Sequence, residues 1–239
     1  MTRFFRKFIR RLRGNPLGTI AAGFALIILL GSLLLTLPAA SATGRRVGWF
    51  DALFTSTSAV CVTGLVAVDT GTAYSRFGHT VLMLLIQTGG LGFMTFATLI
   101  LSLLRKRLTL RERIVVRESI NEDRMSGLPQ MIQWVALSTL IIELAGAALL
   151  SIRMIPRYGV KDGLFYAAFH SVSAFCNAGF DLFGGYSSLT AYRGDALVNL
   201  TVMALVVLGG LGFAVLHDLR VQRQAARLRL HTKIVLSAY

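Results

Sequence analysis

Two eleven-residue stretches decide the fold: Phe54-Thr55-Ser56-Thr57-Ser58-Ala59-Val60-Cys61-Val62-Thr63-Gly64 and Phe169-His170-Ser171-Val172-Ser173-Ala174-Phe175-Cys176-Asn177-Ala178-Gly179. They lie 115 residues apart and share Phe, Ser, Ser, Ala, Cys and Gly at matching places, which marks an internal repeat. Further on, Gly89-Gly90-Leu91-Gly92-Phe93 recurs as Gly209-Gly210-Leu211-Gly212-Phe213 at an offset of 120, and so does Leu108-Thr109-Leu110 as Leu228-Arg229-Leu230. Five extra residues therefore fall between the short segment and the helix that follows it in the second copy.

Four long apolar runs surround these segments: Leu17–Leu37, Phe77–Leu104, Pro129–Ile152 with Glu143 inside it, and Ala196–Leu216. Each has the length that crosses a bilayer as a helix, roughly 20 residues for 30 Å of hydrocarbon. A cleavable signal peptide is the competing reading of the first run, but the rest of the chain is as apolar. The stretches at 49–65 and 163–180 are apolar but too short to span, and each closes on a glycine at its second-last place, Gly64 and Gly179. Such segments are expected to be re-entrant, entering from the outside and returning to it, with protein or water around their backbone.

Composition agrees. Of 239 residues 54% are hydrophobic and only 15% charged, with mean hydropathy +0.65. Two cysteines cannot staple a secreted scaffold. The net charge of +14 raises a nucleic-acid reading, yet 18 of the 25 Lys and Arg sit in blocks at 3–13, 105–124 and 220–233, between apolar runs, and the blocks at 105–124 and 220–233 carry no interleaved aromatic residues. That layout follows the positive-inside rule and predicts a multi-pass membrane protein with a cytoplasmic N-terminus, its basic faces on anionic lipids, and no nucleic-acid partner. The fold class expected is all-α: a polytopic membrane protein of two helix–pore-segment–helix repeats. Its parts are a basic N-terminus (1–16), a first repeat (17–110), a cytoplasmic linker (111–128), a second repeat (129–230) and the start of a third (231–239).

A short helix followed by an extended stretch ending in glycine can line a pore with carbonyls, which replace the hydration shell of a monovalent cation. A helix C-terminus pointing at the pore centre adds its negative dipole end. The rival readings of individual residues are plainer. Gly89-Gly90-Leu91-Gly92 fails the GxGxxG dinucleotide pattern, since Thr95 or Val215 takes the last place, and instead suits close helix packing. Cys61 and Cys176 read as small residues packed behind the lining rather than as a redox or metal pair. His79, His170, His217 and His231 lack metal-ligand spacing. Glu143 is either a functional intramembrane acid or a hydrogen-bonded glutamate between helices. Asp69 and Asp181 follow the two glycines at an expected outer pore mouth, where carboxylates concentrate cations; a helix cap or a loop salt bridge is the alternative. No nucleophile–base or paired-carboxylate arrangement suggests an enzyme.

Ser58-Ala59-Val60-Cys61-Val62-Thr63-Gly64-Leu65, Asp69-Thr70-Gly71 and Leu85-Ile86-Gln87-Thr88-Gly89-Gly90-Leu91-Gly92-Phe93 together resemble the first repeat of the Trk/Ktr/HKT potassium transporters, in particular the Ktr membrane subunit. The stretch 169–183, FHSVSAFCNAGFDLF, resembles the second filter segment of that superfamily. The resemblance implies four such units around one pore in a bacterial plasma membrane, with potassium as the transported ion, possible sodium coupling and no cofactor. It places filter glycines at Gly64 and Gly179 and ion-facing carbonyls at Val62, Thr63, Asn177 and Ala178. It also implies a ring of cytosolic nucleotide-binding RCK regulatory subunits and a homodimer of complete subunits. With two units, the chain is expected to be the N-terminal half of a longer protein, or to pair with a second chain; a non-transporting membrane scaffold or truncated assembly subunit is the rival.

Overall fold

The computed structural model describes residues 16–92, 128–222 and 228–238. The basic N-terminus as far as residue 15, the block at 105–124, the linker expected at 111–128 as far as residue 127, and residues 223–227 lie outside them. Among the described residues the chain is helical, with a single isolated bridge between Ser41 and Tyr74. Its helices are α1 (Pro16–Leu35), α2 (Trp49–Val60), α3 (Thr70–Ala73), α4 (Arg76–Gly90), α5 (Leu128–Phe175), α6 (Ala196–Gly210), α7 (Phe213–Val221) and α8 (Leu230–Ala238).

Local chemistry sets the boundaries. Pro16 opens α1, where its missing N–H costs nothing. Ser75 caps α4 by accepting the Gly78 N–H at 3.3 Å, and Asp195 caps α6 by accepting those of Leu197 and Val198 at 3.0 and 3.2 Å. In α5, Gly159 leaves helical geometry (φ 80°, ψ 169°) and divides a long arm, 128–158, from a short arm, 160–175. One stretch of α5, Gln133–Phe175, is long and apolar enough to cross a membrane; Ile20–Leu35 and Ala196–Gly210 are shorter apolar helices.

The helices differ from the expected spans in two places. The helix that opens the run expected over Phe77–Leu104 ends at Gly90, and Gly92 has φ 77°; residues 93–104 of that run lie outside the described residues. The run expected over Ala196–Leu216 breaks at Gly212, φ 82°, before α7 begins. Hydropathy does not see these breaks, because glycine interrupts helical geometry without interrupting apolar character. Beyond α7, Asp218 Oδ2 accepts the Arg229 N–H at 2.9 Å and the Thr232 hydroxyl at 2.7 Å, tying α8 to α7.

Contacts recur at the offsets read from the sequence. The Ser56 hydroxyl donates to Ile28 O at 2.8 Å and the Ser171 hydroxyl to Glu143 O at 2.7 Å, so each short helix is fastened to the long helix before it. Gly31 lies against Ser56 and Leu85, and Gly146 against Ser171 and Leu205. Gly89 lies against the Val60 carbonyl, and Gly209 against that of Phe175. These glycines let the second long helix of each set approach the C-terminal end of its short helix at backbone distance. The largest core packs Leu35, Val60, Leu82 and Ile86 with Phe169, Phe180 and Leu182, so both halves of the sequence share it.

Candidate functional site

The two short helices end in the same way. Beyond α2, Val62 has φ 56° and Gly64 φ 73°; beyond the short arm of α5, Asn177 has φ 59° and Gly179 φ 71°. Thr63 and Ala178, between them, do not have positive φ. Alternating the sign of φ turns successive peptide planes so that their carbonyls are not thrown to opposite sides as in a strand. The Val62 N–H returns to Ala59 O at 3.3 Å and the Thr63 N–H to Ser58 O at 2.9 Å; Asn177 and Ala178 repeat this with Ala174 O at 3.0 Å and Ser173 O at 2.8 Å. The carbonyls of residues 62–64 and 177–179 accept no hydrogen bond from any described residue. Of the six residues only Ala178 is buried, while Val62 and Gly64 are half-buried and Thr63, Asn177 and Gly179 are exposed, so most of these carbonyls are free of protein partners without being packed into a core.

Of the six residues expected at the ion path, Gly64, Ala178 and Gly179 lie against one another. A Cβ added to Gly64 would lie 2.5 Å from Ala178 O and 3.3 Å from Gly179 Cα, and one on Gly179 would lie 3.7 Å from Gly64 Cα. Ala178 is buried, whereas Gly179 and Thr63 are exposed. Cys61 and Cys176 are both free thiols, Cys61 exposed and Cys176 packed against Gly90. Asn177 Nδ2 donates to Val206 O at 3.4 Å, and a cavity of about 200 Å³ opens beside this segment, between Ser173, Asp181 and Leu189.

Asp69 and Asp181 both serve the backbone. Asp69 Oδ1 accepts the Gly71 N–H at 3.0 Å, capping α3, and its Oδ2 accepts the Gly185 N–H from the other half of the chain. Asp181 Oδ1 accepts the Phe183 N–H at 3.0 Å. Burial raises the Asp181 carboxyl above its ordinary range; the Phe183 N–H opposes the shift and the Asp69 charge adds to it. Neither carboxylate forms a salt bridge among the described residues, so the capping role is what the geometry displays. Asp69→Ala should therefore destabilise the protein by about 1 kcal/mol, while Asp69→Asn, which keeps an acceptor, should lose less. Melting of the purified variants in detergent checks this ranking, and equal melting of the two would refute it.

Sequence reasoning passed over the residues that hold the segments. The Thr63 hydroxyl donates to Ser58 Oγ at 2.9 Å, and the Ser173 hydroxyl to Phe180 O at 2.7 Å. The repeat matches Ser58 with Ser173 and so carried a usable signal, though the two serines use their hydroxyls differently. Glu143 is buried in α5 beside the Gln87 amide, and its Oε1 has no partner among the described residues. Its counterpart in the first half is Ile28, so the acid belongs to one half only.

Residues 18–237 match the family model described as TrkH, cation transport protein. The chain is similar to the Ktr system potassium uptake protein B of Bacillus subtilis, 46% identical over 97% of this chain and 51% of that protein. It is 41% identical to the potassium/sodium uptake protein NtpJ of Enterococcus hirae over 95% of this chain and 50% of that one. It is 40% identical to the Ktr system potassium uptake protein B of Vibrio alginolyticus over the same shares. The chain thus spans about half the length of the curated relatives it matches. With the family model covering nearly every residue, and the resemblance carried by the two glycine-ended segments in agreement with it, the chain belongs to the TrkH family of cation transport proteins.

Proposed function

We propose that the chain supplies half of a potassium-selective pathway across the plasma membrane, as the pore-forming part of a Trk/Ktr-type transporter. The observation that carries this is the pair of segments that meet at Gly64, Ala178 and Gly179 and whose six carbonyls accept no hydrogen bond from any described residue. Carbonyls left free in this way are suited to replace the water around a desolvated monovalent cation. The names of the relatives, two potassium uptake proteins and one potassium/sodium uptake protein, supply the ion. The pore helices are then re-entrant, the N-terminus is cytoplasmic and the chemistry is permeation rather than catalysis. Val62, Thr63, Gly64, Asn177, Ala178 and Gly179 are the ion-facing residues, with Asp69 and Asp181 at the outer mouth. The basic cytoplasmic blocks suit a nucleotide-binding regulatory ring, and the complete subunits pair as a homodimer.

The edges of the molecule favour further units around the same axis. Phe169 and Phe180, in the second half, are buried at 0% and 3%, while their counterparts Phe54 and Leu65 are 44% and 63% exposed. Ile86 on α4 is fully buried, whereas its counterpart Val206 on α6 is 39% exposed. The faces that meet between the two halves are thus each repeated, uncovered, at the outer edges. The test is rescue of potassium-starved cells that lack their own uptake systems. The chain by itself is expected to fail, and co-expression with the two remaining units is expected to restore growth and rubidium uptake. Failure of the combination, with both parts inserted in the membrane, would favour the non-transporting scaffold.

A further inference from the structure

We propose that Thr70 is a positioning residue for the second ion-lining segment, so that a loop of the first half sets the geometry of an ion site in the second. This rests on the reading of residues 177–179 as ion-facing backbone. Immediately past Gly179, three successive residues have their backbone pinned by side chains. Phe180 O accepts the Ser173 hydroxyl at 2.7 Å, Asp181 O accepts the Thr70 hydroxyl at 2.9 Å, and the Leu182 N–H donates to His170 Nε2 at 3.4 Å. Ser173 and His170 belong to the helix that precedes the segment, but Thr70 comes from 111 positions earlier in the chain.

Thr70 is itself held. It is buried, and its carbonyl is 2.7 Å from His79 Nε2; because a carbonyl only accepts, Nε2 carries the proton. The His79 ring lies against Phe165 and Phe169, both at 6.4 Å between centroids, so it is wedged between α4 and the short arm of α5. Beside Thr70, a Cβ on Gly71 would lie 2.6 Å from Gly184 N and 2.7 Å from Leu182 O, so the two loops meet backbone to backbone. Among the described residues the first segment has no such brace. Leu65, the counterpart of Phe180, is exposed, and the Ser58 hydroxyl is engaged by Thr63 rather than by the backbone past the glycine.

Carbonyl dipoles gathered around one point repel each other when no cation is between them, and their spacing holds only if the flanking backbone is fixed. The Thr70 bond fixes the peptide two residues past Gly179, and of the three side-chain anchors on residues 180–182 it is the one that comes from the first half of the chain.

The experiment compares Thr70→Val with Thr70→Ser in the transporter completed by its remaining units, reading potassium-over-sodium discrimination in uptake. It also reads hydrogen exchange at residues 180–183. Losing the hydroxyl should lower discrimination about fivefold and speed exchange at Leu182 by at least the same factor, and serine should restore both. Thr201→Val removes a buried hydroxyl bonded within α6 (2.7 Å to Leu197 O) and should leave discrimination unchanged. Native discrimination and exchange in Thr70→Val would overturn the proposal, and so would losses that serine does not recover. If the native assembly moves no potassium while exchange at Leu182 still responds to the hydroxyl, the transport reading falls and the brace stands.

Discussion

Gly64→Ala, made in the transporter completed by its remaining units, is expected to reduce potassium uptake by at least about tenfold, and Gly179→Ala to reduce it by less. Both glycines occupy left-handed backbone, φ 73° and 71°, so any side chain costs about 1–2 kcal/mol in local strain at either place. What separates them is space. The added methyl at Gly64 would press on Ala178 O at 2.5 Å, an atom read as ion-facing, while at Gly179 the nearest neighbour is Gly64 Cα at 3.7 Å, ordinary contact. Ala178 is buried and cannot move aside without moving the peptide that carries it. One methyl in the first segment therefore distorts the second as well, and since each 1.4 kcal/mol is a factor of ten, strain plus displacement exceeds tenfold. Potassium-dependent rubidium uptake and its inhibition by sodium measure both variants at matched membrane levels. Equal losses at the two positions would show that backbone strain alone matters and that the contact with Ala178 does not.

Much of this site was legible because the chain repeats itself. Aligning residue 64 with 179 and residue 89 with 209 singled out the glycines, and a glycine closing a short apolar segment invites positive φ. The positive φ of Val62 was not legible, because a β-branched residue is among the least suited to left-handed geometry. Only the surrounding fold imposes it, through the Ala59 and Ser58 carbonyls that draw in the next two N–H groups. Asp69 and Asp181 illustrate a different gap. A carboxylate near an expected pore mouth and one accepting backbone N–H groups look the same in sequence, and only the positions of Gly71, Gly185 and Phe183 tell them apart. The bond between Thr70 and Asp181 spans more than a hundred residues, and no periodicity encodes it. The same holds for the positive φ of Gly92 and Gly212, where a helix ends although the apolar run in the sequence does not.

Gly209→Ala is expected to cost the protein stability on the order of 3 kcal/mol, with the yield of folded protein falling accordingly. The added carbon would overlap the Phe175 carbonyl oxygen, with the carbon of the same carbonyl at 2.8 Å and Asn177 Nδ2 at 3.3 Å. A flexible side-chain tip could rotate away from such a clash. A carbonyl at the C-terminal end of a packed helix cannot, because the Cys176, Asn177 and Ala178 N–H groups are engaged by the preceding turn. Relief has to come from separating α6 from the short arm of α5, which opens the Leu205 contact at Gly146 and the Asn177 bond to Val206. Gly89→Ala meets the Val60 carbonyl in the same way and should behave alike. Gly194→Ala is the control: nothing lies within 4 Å of its added carbon, so it should melt as the native protein does. Thermal unfolding in detergent, followed by intrinsic fluorescence, ranks the three. If Gly209→Ala melts with Gly194→Ala, the close approach of α6 to the short arm of α5 is not what holds the second half together. If it falls as expected, the glycine pairs shared by the two halves have a structural cause: each lets a long helix reach the backbone of the short one that ends at the ion path.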